Sequence, residues 1–383
     1  LTFVNGFGLP FDSGVMIYLL MLTGILLLGF FSVHRDDNKL FYAMVGLLAL
    51  MIFLGNLYSM LITVVAAIIA AGLLFFIQHF GGRKAVHLVI TSVAVILIGY
   101  SSFALIYIRS SANPPMDENN PENAFALLSY LNREQYGDRP LVFGQYFNTP
   151  LDNRKPYKDG KPVYHQDEVT GTYIISDDKK KSKPNYASEF CSVFPRMYST
   201  EKRHIDKYKY WSDFKGERAK KYRDPRSGEV SVRKPTFGEN LKFFWNYQID
   251  WMYLRYFMWN FAGRQNDIQG HGGPLNGNWM SGIDAIDSYR LGIDTSKMPE
   301  SMISNKALNK FYFLPLILGL LGLMLQLEKR GKDALVVGLL FLLTGLAIVI
   351  YLNQYPYQPR ERDYAYAGSF YAFTIWIGLG VLF

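Results

Sequence analysis

Residues 13–33, SGVMIYLLMLTGILLLGFFSV, run for 21 positions without a charge. A helix of about 20 apolar residues is what crosses the hydrocarbon of a bilayer. Moving outward from that stretch, six more have the same character: Leu40–Gly55, Leu57–Ile77, Leu88–Ile108, Phe311–Leu327, Ala334–Leu352 and Ala365–Phe383. Leu40–Gly55 is slightly short, and Gly55-Asn56 leaves it only a tight turn before the next stretch. One bent helix through Leu40–Ile77 is the alternative, but its length of roughly 57 Å would far exceed the hydrocarbon core. Two helices fit better.

Half of the residues are hydrophobic, yet the mean hydropathy is +0.04, because two unlike materials are mixed in one chain. Residues 1–108 hold four spans, 311–383 hold three, and 109–310 form a polar block rich in Lys, Arg, Asp and Tyr. The expected fold is an all-α transmembrane bundle with an inserted mixed α+β extracytoplasmic domain. The chain opens on Leu1 and stops at Phe383 inside an apolar run, with no cleavable leader, and so reads as an internal piece of a longer protein. The net charge of +8 is explained by Lys and Arg flanking the spans, and no nucleic-acid motif accompanies it. A single cysteine, Cys191, rules out an internal disulfide; a small buried hydrophobe is its simplest role.

Short-loop basic residues orient a membrane protein. Loops 34–39, 81–84 and 328–332 carry seven Lys and Arg in total, whereas the opposite loop 353–364 carries only Arg360 and Arg362. The three basic loops are therefore expected to be cytoplasmic. Residues 109–310 would then be periplasmic or extracellular.

Inside the polar block, Asn120, Pro121 and Glu122 look like a helix start, Phe125, Leu128 and Leu131 recur at helical spacing, and Gly137 looks like its end. Leu141–Phe147, Lys161–His165 and Thr170–Ile175 read as strands of one small antiparallel sheet, with Asp159-Gly160 as a turn. Residues 177–184 read as a loop, and 199–233 as a solvated, partly helical stretch. Residues 241–261, LKFFWNYQIDWMYLRYFMWNF, set ten aromatic residues against three charges, Lys242, Asp250 and Arg255. A helix lying in the headgroup region is the first reading, and an aromatic core helix is the alternative.

No Asp, Glu, His, Lys or Arg falls inside a spanning stretch, which counts against an ion-coupled transporter. Chemistry is therefore sought on the outer surface, where two clusters stand out. The first, Asn260–Pro274, combines four glycines with Arg264, Asn266, Asp267 and His271. It is either a loop whose backbone approaches a ligand or a structured turn. His271 has no second ligand at metal spacing, so no metal site is expected. The second cluster, Tyr355–Tyr364, reads YPYQPRERDY. Guanidinium groups at headgroup level suit a lipid phosphate through forked hydrogen bonds. Alternatively, Arg360, Glu361, Arg362 and Asp363 pair with one another. One arginine is expected to dominate phosphate binding, with the other held by Glu361 or Asp363.

Four runs carry a resemblance: SSANPPMDENNPENAFALLSYLNREQYGDRPL, FPRMYS, RYFMWNFAGRQNDIQG and YPYQPRERDYAYAGSFYAF. Together they resemble the domain-of-unknown-function 2723 family, bacterial multi-spanning proteins grouped with protein O-mannosyltransferase-like enzymes of the GT-C class. The resemblance implies transfer of a sugar from a polyprenyl-phosphate donor to an acceptor protein or glycan on the outer face. No cofactor beyond that donor is implied. Arg360 and Arg362 would hold the donor phosphate, with Arg264, Asn266, Asp267, His271, Glu361 and Asp363 on the acceptor side or in support. The catalytic acid of that class usually lies in the first outer loop, which on this resemblance precedes the sequence, so no catalytic residue is assigned. Two other readings remain: a non-catalytic membrane-anchored binding module, and a transporter or flippase.

Overall fold

The computed structural model describes residues 13–55, 60–137, 139–167, 169, 172–224 and 228–382. Two compact units emerge, one from residues 1–138 and 159–182, the other from 139–158 and 183–383. Each is mostly helical, with small two-stranded sheets.

Among the described residues, three helices are long and apolar enough to cross a membrane: Val15–His34, Leu61–Ser110 and Gly331–Leu352. Asn38–Phe53 is apolar but shorter, and the helices Leu314–Lys329 and Ala367–Gly380 have 16 and 14 residues. The expected stretches Leu57–Ile77 and Leu88–Ile108 belong to one helical run broken at Gly82, whose φ of 65° and ψ of −173° are open essentially to glycine alone. The expected turn at Asn56 lies outside the described residues.

In the first unit, Ile25, Phe41, Met44, Val45, Met51, Val86 and Ile90 form the core shared by the helices Ser13–His34, Asn38–Gly55 and Met60–Tyr100. Arg83, next to the break, ion-pairs with Asp36 and donates to Asn38 Oδ1 at 2.8 Å, so loops 34–39 and 81–84 share one end of the bundle. Apolar side chains cover the outside, Leu61 and Ile98 exposing 76% and 71% of their surface. Such a coat suits lipid rather than water.

The polar part departs from the expected pattern. The helix begins at Ala124, capped by Asn123, whose side chain accepts from the Ala126 N–H at 2.9 Å; Asn120 and Pro121 precede it. It ends at Leu131, before a short turn Glu134–Tyr136. The expected single sheet is replaced by separate pairs. Val163–Asp167 pairs with Thr172–Asp177 in the first unit, where Phe125 stacks on Tyr164 at 4.3 Å. Phe143–Gly144 pairs instead with Ser192–Val193 in the second unit. The strands are too short and too scattered along the chain to share one ladder. Residues 170–171 of the expected third strand are outside the described residues.

The second unit is built around residues 237–261. Thr236 and Glu239 form a reciprocal capping box, Glu239 N–H to Thr236 Oγ1 at 3.1 Å and Thr236 N–H to Glu239 Oε2 at 2.7 Å, which fixes the helix start. Phe237–Phe243 continues through wide π-type turns over Phe244–Leu254, where the Arg255 N–H reaches back five residues to the Asp250 carbonyl, into Arg255–Phe261. We call this run the aromatic helix. It does not lie on a surface as first read. Tyr247, Met252, Tyr253, Tyr256, Phe257, Trp259 and Phe261 are all buried, and the open flank runs through Leu241, Lys242, Trp245, Asp250 and Asn260. The alternative, a core helix, is what forms. Its cover comes from two sources: Tyr146, Phe147, Met197 and Tyr208 on one side, and Val349, Phe370, Phe373 and Trp376 of the apolar helices on the other.

The apolar helices of this unit pack closely. A Cβ at Gly322 would overlap the Trp376 carbonyl, and one at Gly380 the Leu318 carbonyl, so Leu314–Lys329 and Ala367–Gly380 touch backbone to backbone. Trp376 Nε1 donates to Gln326 Oε1 between them at 2.7 Å. The helix Leu346–Leu352 ends among polar groups: Arg139 Nη1 donates to the Leu352 carbonyl at 2.7 Å, and the fully buried Arg196 donates to that of Ile350 at 2.9 Å. These guanidinium groups satisfy carbonyls that a helix end leaves without partners.

Candidate functional site

Beyond Leu352 the chain turns at Asn353, which takes a left-handed φ of 40°. Its side-chain amide donates to the Pro140 and Pro195 carbonyls at 2.8 and 3.0 Å. Gln248 of the aromatic helix donates to Asn353 Oδ1 at 3.0 Å and to the Gln354 carbonyl at 2.8 Å. Tyr247 OH donates to the Tyr355 carbonyl at 3.1 Å. The YPYQPRERDY loop is thereby laid along the aromatic helix by backbone-directed bonds, which fix its course whatever its own side chains do.

A narrow cleft opens between this loop and the glycine-rich one. Its floor is Tyr247, Trp251, Arg255 and Tyr256 of the aromatic helix; Lys207 and Trp211 of the helix Lys202–Ser212 close one side. Gln269, Gly270 and His271 form one rim; Tyr357, Gln358, Arg360 and Glu361 form the other. The two clusters singled out in the sequence meet here.

Glu361 is the centre of the floor. Arg255 Nη2 donates to its Oε2 at 2.8 Å and Nη1 to its Oε1 at 3.3 Å; the Gly270 N–H adds a bond at 3.1 Å, and Tyr256 OH donates to Oε2. Burial alone would raise this carboxyl, but the bonds and charge of Arg255, with Tyr256 and Gly270, outweigh it and hold the group below the ordinary glutamate value. Burial pushes the Tyr256 hydroxyl far up, so it stays protonated and donating. Glu361 is therefore a satisfied anion that ties both loops to the helix. The expectation that Arg360 or Arg362 pairs with Glu361 is overturned: the partner is Arg255, which is buried under the Gly277 carbonyl and stacked on Trp251 at 4.2 Å.

With Glu361 engaged, two exposed-side cations remain. Arg360 has no carboxylate partner among the described residues and sits over the Tyr364 ring at 5.4 Å. Lys207 Nζ donates to the His271 carbonyl at 3.1 Å and lies 5.7 Å from the Tyr357 ring. Tyr357 takes a left-handed φ of 57°, a conformation that costs a non-glycine residue about 1–2 kcal/mol. In that conformation its ring lies beside His271, with centroids 4.8 Å apart. Burial first, and then the Lys207 charge, push the His271 imidazole below the usual histidine range, leaving it neutral at pH 7.

The other residues expected at the site fall elsewhere. Asn266 is buried and spends its amide inside its own loop, donating to the Leu275 carbonyl at 3.1 Å and accepting from the Gly277 N–H at 2.9 Å. It braces the glycine loop and does not line the cleft. Arg264 donates to the Ala307 carbonyl at 3.3 Å and lies over Trp259; Asp267 is exposed. Neither Arg362 nor Asp363 lines the cleft: Arg362 donates its backbone N–H to Tyr256 OH at 3.1 Å, and Asp363 opens the turn Asp363–Tyr366. Sequence reasoning missed Lys207, Trp211, Tyr247, Trp251, Arg255 and Tyr256. A lone arginine amid eight apolar or aromatic neighbours was a usable signal for Arg255; nothing local marks Lys207 among so many lysines. Among the described residues no three His, Cys, Asp or Glu side chains converge as metal ligands do.

Residues 137–245 match a family of unknown function, DUF8416. The matched region includes Lys207 and Trp211 of the cleft and stops before Arg255 and both loops. No curated protein and no solved structure matches the chain.

Proposed function

We propose that this chain belongs to a membrane protein that handles a phosphate-linked sugar, and that the cleft holds the phosphate. The leading form of this reading is transfer of a sugar from a polyprenyl-phosphate donor to an acceptor at the outer face of a bacterial inner membrane. The observation that carries it is the convergence of Lys207, Arg255 and Arg360 against one carboxylate, on an aromatic floor that continues into apolar helices. Cations bind the phosphate through charge-assisted bonds. Aromatic faces bind the apolar faces of a sugar ring. The motif resemblance to the domain-of-unknown-function 2723 family supports the same substrate class.

A second reading, a binding module without catalysis, is favoured by Glu361. It is the cleft's only carboxylate among the described residues, and its four donors leave it unfit as a base. On the transfer reading, the base comes from outside the cleft as described.

The test is binding of a short-chain polyprenyl-phosphate sugar to the chain in nanodiscs. Arg360→Ala and Lys207→Ala should each weaken it about ten- to a hundredfold, the worth of a charge-assisted contact. Arg362→Ala should change it far less. If both cleft variants bind as well as wild type while folded, the cleft is not the phosphate site.

A further inference from the structure

Gln358 occupies an unusual position in this cleft. Its side-chain Nε2 is anchored on the Tyr355 carbonyl at 2.6 Å, and its own carbonyl is held by Gln269 Nε2 at 2.7 Å. The residue is 5% exposed, lines the cleft, and its Oε1 is buried with no hydrogen-bond partner. Leaving a buried acceptor unpaired is costly, so native proteins rarely do it without a use for it. Because Nε2 is committed, the amide is not free to flip, and what it presents is an acceptor. An acceptor rejects phosphate oxygens and takes a hydroxyl or an N–H.

We propose that Gln358 is a specificity residue that accepts a hydrogen bond from a ligand hydroxyl beside the phosphate held by Arg360 and Lys207. The ligand class that follows is a hydroxyl-rich phosphate ester, a sugar phosphate, rather than a bare phosphate or a phospholipid headgroup lacking hydroxyls. The aromatic floor of Trp211, Trp251 and Tyr247 supplies the apolar surface against which such a ring lies flat. The inference rests on the phosphate reading above, and the test separates the two.

Three soluble probes are titrated calorimetrically into the full chain in nanodiscs: methyl phosphate, a hexose 1-phosphate and the neutral methyl hexoside. Wild type should bind the hexose 1-phosphate about tenfold more tightly than methyl phosphate, the gain for satisfying a buried acceptor. Gln358→Met, which keeps the length but removes both the acceptor and the Nε2 bond to the Tyr355 carbonyl, should erase that gain, read as the ratio of hexose 1-phosphate to methyl phosphate affinity so that a shift of the loop affecting both probes cancels. A series of monodeoxy hexose 1-phosphates on wild type gives a reading that needs no variant to fold. One deoxy position should lose the same tenfold, and the remaining ones much less. Equal binding of hexose 1-phosphate and methyl phosphate to wild type, or a deoxy series with no sensitive position, overturns the Gln358 inference. So does a folded Gln358→Met that retains the full hexose gain. Binding of both phosphates no tighter than the neutral hexoside instead overturns the phosphate reading, and the deoxy scan repeated on the hexoside then decides Gln358 alone.

Discussion

Arg255 and Glu361 meet at 2.8 Å across 105 intervening residues of chain, and almost no water reaches either, their side chains being 3% and 18% exposed. A pair of this kind is costly to break from one side, because the survivor is left charged and buried, and single removal typically loses on the order of 3–5 kcal/mol. Arg255→Met and Glu361→Met should each lower the thermal midpoint strongly. The double variant should be more stable than the sum of the two losses implies. Strict additivity would mean the pair contributes nothing. Glu361→Gln should destabilise less than Glu361→Met and should not weaken phosphate binding, since it removes the cleft's one negative charge.

Gly322 and Gly380 give a packing test with an internal control. Gly322→Ala forces a methyl group into the Trp376 carbonyl, an overpacking typically costing about 1–3 kcal/mol. Gly338 also lies in an apolar helix but faces open space, so Gly338→Ala should be neutral or gain up to about 1 kcal/mol from helix propensity. Thermal unfolding in one detergent compares both. Equal effects would deny the backbone contact.

His204 predicts an acid limb. It is buried, its ring accepts or donates with Ser199 Oγ at 2.8 Å and stacks on Tyr355 at 4.3 Å. Burial lowers its pKa in the folded chain, with Glu201 opposing and Arg203 assisting. The unfolded chain then binds the proton first. The stabilisation is fully present above the unfolded value of about 6.5 and declines as pH falls through it towards the depressed folded value. His204→Asn should therefore flatten the wild-type loss of stability between about pH 7.5 and 5. An unchanged slope assigns the acid limb to other groups.

Orientation can be read within the second unit. Gly331–Leu352 is long enough to span, so Lys332 and Pro359 should lie on opposite faces. In a Cys191→Ser background, Pro359→Cys should label in intact cells with an impermeant thiol reagent, and Lys332→Cys only after lysis. Pro359 is the better reporter than its neighbour Gln358, which is buried. Labelling of Lys332→Cys alone would invert the assignment.

The apolar helices were legible because hydropathy is a local, summed property: 18 or more neighbouring residues vote together. The break at Gly82 was legible from the polar residues 81–84 between two apolar stretches, whereas the one at Gly345, where φ is −111° and ψ −91°, was not, since Gly338 sits in an equally apolar run and stays helical. The aromatic helix misled because its sequence is amphipathic in the usual way. What decides its environment is whether Phe373 and Tyr208, far away in the chain, arrive to cover it. The two loops of the cleft were found from their unusual composition. Their hub, Arg255, was passed over because a charge in an aromatic helix reads as an exposed-face residue until its acid partner is seen.

Arg139 and Arg196 cap carbonyls at Leu352 and Ile350, 213 and 154 residues further along the chain. On a ribosome adding about 5–20 residues per second, the first of these bonds has to wait roughly 10–40 s for its acceptor to be made. Burial drops the Arg196 pKa to about 10 in the finished fold, and among the described residues its guanidinium takes no carboxylate partner, donating to backbone carbonyls instead. During synthesis, then, the polar half of this unit carries a cation it cannot yet bury. Its closing partner is a helix apolar enough to be claimed by a bilayer before it ever reaches that cation. Closure of the polar half is thereby tied to the arrival of one late apolar helix.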